Sequence, residues 1–110
     1  MTYYQNNFRT NTEYCKSNTS PLSAFYDVQS DALYVSLREE ASHIEERDNV
    51  GFFRRFADAD GKPIGVTIVG FLGNWGDTRE MAYGNISAFL RIDIDAVRRA
   101  IMPLLPVWSI

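Results

Sequence analysis

The sequence predicts one α+β domain: an antiparallel β-meander of four or five strands, followed by a C-terminal helix and an apolar tail. Three observations carry this. Leu33, Val35 and Leu37, and later Ile64, Val66 and Ile68, recur at the period of two that places them on single faces of strands. Turn-forming residues punctuate the chain at 27–31, 49–51 and 58–61. Near the end, Val97, Ala100 and Ile101 fall at the spacing of one helical face, and Pro103 and Pro106 follow.

A chain of 110 residues suits one domain, and such a domain buries roughly two-thirds of its unfolded surface. Six Tyr, seven Phe and two Trp make it rich in aromatics, which favour strands and interfaces. A net charge of −3 makes nucleic acid an unexpected partner, because nucleic-acid binders usually present a basic face. The single cysteine, Cys15, has no internal disulfide partner, and the first twenty residues lack the apolar core of a secretory signal. The expectation is a cytoplasmic protein. No apolar run is long enough to span a bilayer, so no membrane is expected as a partner.

Residues 1–22 are rich in Asn, Thr, Tyr and Ser without a usable period, and read as a flexible or loosely docked arm. Residues 23–110 form the domain. Residues 24–26 open it as a short strand, and Asp27 and Ser30 are suited to fix the turn that follows. Residues 33–37 form the clearest strand. Residues 43–48 alternate weakly, and with five acids against two arginines over 38–48 they suit a charged edge strand. Residues 52–57 and 63–69 are the arms of a hairpin closed by Asp58, Ala59, Asp60 and Gly61. Residues 71–83 look loop-like, with a helical turn near 78–82. Residues 86–92 alternate and read as a strand, although Met81, Ile86, Phe89 and Leu90 also fit a helical face. Asp93 or Asp95 is the expected N-cap of the last helix. Residues 100–110 carry no charged side chain, so this tail needs burial somewhere.

Few constellations promise chemistry. Asp58, Asp60 and Gly61 suggest a calcium loop, but the glycine comes too early and the twelfth position is Val69, not Glu. Gly70, Gly73 and Gly76 match neither phosphate-loop spacing. His43 and Glu45 share a strand face and make the weakest candidate, a general base without a nucleophile. No catalytic residue, metal ligand or cofactor is therefore expected.

The unusual element is the strand Phe52, Phe53, Arg54, Arg55, Phe56. Alternation puts Phe52, Arg54 and Phe56 on one face, with Phe53 and Arg55 on the other. Arginine among aromatics suits a protein hot spot or stacking on a base, and equally a mixed strand whose rings pack inward. With Trp108 of the tail, Phe52, Arg54, Arg55 and Phe56 are the candidate interface residues.

The stretch 24–71 resembles the DUF2283 family of small bacterial proteins. The residues that carry this are Tyr26, Asp27, Asp31, Ala32, Leu33, Tyr34, Val35 and Leu37, then Asp60, Gly61, Ile64, Gly65, Val66 and Ile68. The resemblance implies a compact β-meander, often with a helix, and no established activity; some relatives suggest an antitoxin-like or protein-binding role. The expected function is a non-enzymatic, protein-binding or self-associating module, with a dimer or another small protein as partner. The alternative is a small-ligand or single-stranded nucleic-acid binder using Arg54, Arg55 and Tyr34.

Overall fold

The structure is a computed structural model and describes residues 22–46 and 50–109. The expected arm lies outside the described residues except for Leu22, and so does Cys15. Five antiparallel strands form one sheet: β1 (Ser23–Asp27), β2 (Ala32–Ser36), β3 (Ser42–Glu46), β4 (Phe52–Ala57) and β5 (Pro63–Val69). Helices α1 (Phe71–Trp75), α2 (Arg79–Leu90) and α3 (Ile94–Ile101) complete an α+β fold.

The strand order is β1-β2-β5-β4-β3. A hairpin of β1 and β2 and a meander of β3, β4 and β5 are therefore joined where β5 pairs with β2. The most apolar strand, β5, takes the centre, where both neighbours cover it. The acidic strand β3 takes an edge, with His43 and Ile44 exposed, as suits a charged rim that resists unwanted pairing.

Alternation sorts the side chains. Tyr26, Leu33, Val35, Val66, Ile68 and Phe52 face the helices and form one core with Phe71, Ile86, Val97 and Ile101. On the opposite face, Phe25, Tyr34, Thr67 and Phe53 stand in one cross-strand row. Beside them Gly65 faces Arg55 on β4 and Ser36 on β2. A Cβ at Gly65 would lie 2.5 Å from Arg55 Nη2 and 2.9 Å from the Val35 carbonyl oxygen, so any larger residue here forces its neighbours to shift. The Arg55 guanidinium fills the space: Nη2 donates to Ser36 Oγ at 3.2 Å and Nη1 to Ser42 Oγ at 3.4 Å.

The expected strand at 86–92 is corrected to helix. Ala82, Ile86 and Leu90 repeat every four residues and are buried, whereas Ala88, which the alternating pattern needs inside, is exposed. A left-handed residue and two hydrogen bonds stop α2. Arg91 turns left-handed at φ 60°, its N–H donates to the Ser87 carbonyl, and Ser87 Oγ donates to the Ile92 carbonyl. Of the stretch 71–83, the helical turn expected near 78–82 falls at the start of α2, and the part expected as loop is helical too, running from α1 through a 3₁₀ turn (Gly76–Thr78) into α2. Asp93 is the N-cap of α3 and accepts from the Asp95 N–H.

Candidate functional site

The structure disperses the candidate interface residues. Phe52 has no exposed surface and belongs to the core. The Arg54 guanidinium lies over the rings of Phe52 and Phe89, with centroids at 4.6 and 5.6 Å. Phe56 packs edge-on against Phe89 at 5.3 Å and stacks on His43 at 5.6 Å. Arg55 lies on the other face, within 3.8 Å of Glu39. The two arginines therefore point to opposite sides of the sheet and do not build one cationic surface. Trp108 is different. It sits in a 3₁₀ turn (Val107–Ser109) with 73% of its surface exposed.

His43 lies between two carboxylates at the sheet edge. Its Nδ1 is 3.1 Å from Asp58 Oδ1, and its Nε2 is 3.6 Å from Glu45 Oε2. All three side chains are well exposed, an arrangement in which ion pairs contribute little. Among the described residues no group of three or more His, Cys, Asp or Glu side chains could hold a metal ion.

A polar cluster around Asp31 has no short-range signal in the sequence. Asp31 closes the β1–β2 turn with a positive φ of 54°. Its carboxylate accepts from the Tyr26 hydroxyl at 2.6 Å and from the N–H groups of Leu72 and Gly73 at 2.8 Å each. Its carbonyl accepts from the N–H groups of Gly70 and Phe71. The residue at the N-cap of α1, Gly70, has no side chain to satisfy that helix's first N–H groups, and Asp31 does so from another part of the chain. Burial pushes the Asp31 carboxyl up, but the hydrogen bonds from Tyr26, Leu72 and Gly73 outweigh it and hold the group below its ordinary value. Burial, then the bond to Asp31, pushes the Tyr26 phenol well up.

A second feature also depends on α2 being a helix. Gly76, Asp77, Arg79, Glu80 and Tyr83 line one side of a cleft of about 250 Å³, and Met102 and Leu105 line the other. Arg79 and Tyr83 are four residues apart and share a helix face. Burial pushes the Tyr83 phenol up, so it is neutral at neutral pH. Among the described residues, its hydroxyl and the Asp77 carboxylate have no hydrogen-bond partner, and Arg79 makes no ion pair. Glu80, in contrast, is held by Arg98, whose Nη2 is 2.6 Å away.

Residues 24–71 match the family model described as Protein of unknown function (DUF2283). The segment is DUF2283-like. It spans β1 to β5 and ends at the first residue of α1. No curated protein and no solved structure matches the chain. In the matched segment Tyr26 and Asp31 lock the first turn onto α1, Gly65 admits Arg55, and Leu33, Val35, Ile64, Val66 and Ile68 fill the core. These roles are structural. Arg79, Tyr83, Met102, Leu105 and Trp108 all lie outside the segment. Among the described residues no helix is long and apolar enough to cross a membrane.

Proposed function

We propose that this chain is a non-enzymatic protein-binding module that self-associates as a dimer through its uncharged C-terminal segment. The supporting observation is Trp108, 73% exposed beside an 84% exposed Val107. Met102 and Leu104, also exposed, extend the same segment. Removing such side chains from water favours association, and tryptophan is enriched among the anchors of protein interfaces. Sedimentation velocity of the full chain over a range of concentrations tests this. The expected result is a reversible dimer that Trp108→Ala dissociates while the melting temperature of the monomer is unchanged. A monomer at every concentration would overturn the reading.

A second reading rests on the sheet face turned away from the helices. Antiparallel sheets with one wet face usually place polar residues there, yet Phe25, Tyr34, Phe53, Ile44 and Val69 occupy it here. Another small protein bound to this face would be released from the native complex by Tyr34→Glu and retained by Trp108→Ala. Retention by both variants would count against it.

A further inference from the structure

We infer that the cleft at the start of α2 seats Trp108 from a second copy of this chain, an inference that rests on the self-association proposed above. The lining of the cleft selects the chemistry of its occupant. Met102 and Leu105 offer apolar walls. Among the described residues the Tyr83 hydroxyl, 2% of that residue being exposed, and the Asp77 carboxylate are acceptors without donors. Two carboxylates on the rim disfavour an anion, and Arg79 offers a cation to stack on a ring. The occupant that meets all these conditions is an aromatic ring carrying an N–H donor. The indole of tryptophan is such a ring, and its N–H is a donor only.

The chain itself supplies that ring. Trp75 is buried in the core, whereas Trp108 is exposed and does not line its own cleft. Local geometry explains why. Leu105 already forms a wall, and the turn after it is closed onto the Pro106 carbonyl by the Ser109 N–H at 3.0 Å and by Ser109 Oγ at 2.7 Å. Only two residues separate Leu105 from Trp108, so the indole cannot fold back across that wall while the turn is closed. A twofold axis beside the tail removes the obstacle. Each copy then donates Trp108 and receives its partner's, the self-complementary arrangement of a closed dimer.

Complementation by mixing tests this directly. Gly76→Leu adds bulk at the cleft, and a Cβ there meets no atom within 4 Å, so the fold tolerates it. Trp108→Ala alone is expected to weaken the dimer about 30-fold or more, as loss of an anchor does. Tyr83→Phe, which loses one hydrogen bond, is expected to weaken it roughly fivefold. An equimolar mixture of Trp108→Ala and Gly76→Leu chains keeps one intact insertion, and should associate more tightly than either variant alone. A dimer lost in Trp108→Ala but unchanged in Gly76→Leu and Tyr83→Phe would overturn the cleft and leave self-association standing. A monomeric wild-type chain would overturn both.

Discussion

The Tyr26 hydroxyl donates a 2.6 Å hydrogen bond to Asp31 Oδ1, joining the end of β1 to the turn residue just before the return strand. The same carboxylate holds the first N–H groups of α1, forty-one and forty-two residues further on. One side chain thus fixes a hairpin turn and anchors the helical layer to the sheet. Asp31→Ala should destabilise the fold by about 3 kcal/mol, because charged hydrogen bonds and a helix cap are lost together. Tyr26→Phe should cost about 1 kcal/mol. Urea unfolding of the two single variants and the double variant measures both, and the costs should fall short of additivity because the two residues share one bond.

The same pair sets a pH dependence. Folding lowers the Asp31 pKa from its ordinary 3.8, so the unfolded chain binds more protons in acid. The stability this group contributes is present above pH 3.8 and lost as pH falls through the lower, folded value. Folding raises the Tyr26 pKa above its ordinary 10.0, so its contribution is present below pH 10.0 and lost as pH rises further. Denaturant midpoints of wild type and Asp31→Asn should differ most near neutrality and converge in acid as Asp31 protonates in the folded state. A difference independent of pH would show that Asp31 acts without its charge.

Gly65 and Arg55 make a steric pair across β4 and β5. Gly65→Ala drives a methyl into the guanidinium at 2.5 Å and towards the Val35 carbonyl at 2.9 Å. The expected cost is about 1–3 kcal/mol, as for other overpacked sites. Arg55→Ala in the same chain should recover part of that cost, because the side-chain clash disappears and the backbone clash remains. Thermal melts of the three variants decide it.

Phe52 and Trp108 look alike in the sequence as candidate anchors, and they should behave oppositely. Phe52→Ala should cost about 3–5 kcal/mol of folding stability, the value for a large buried side chain. Trp108→Ala should change the stability of the monomer by no more than about 0.5 kcal/mol. Chemical denaturation at concentrations low enough to keep the chain monomeric separates the two.

The sequence by itself determined the strands. Alternation of Leu33, Val35 and Leu37, and of Ile64, Val66 and Ile68, is a local signal, and the residues the pattern turns inward are those that fill the core. The acidic edge at β3 and the start of α3 at Asp93 or Asp95 were legible for the same reason, since each depends on neighbours a few positions away, and the structure selects Asp93 as the cap. Tertiary structure decided the rest. Residues 86–92 satisfy both periods, and only burial of Ala82, Ile86 and Leu90 against the sheet selects the helix. The strand Phe52 to Phe56 offered four candidates, but what each side chain faces depends on Phe89, Ser36 and Gly65, which lie on other elements. Asp31 read as one more turn residue because its partners at Leu72 and Gly73 lie far along the chain. Contacts of that range appear only after β5 has entered the sheet beside β2 and delivered α1 to the turn, because hydrogen bonds and packing act across space while a sequence pattern records only what lies nearby.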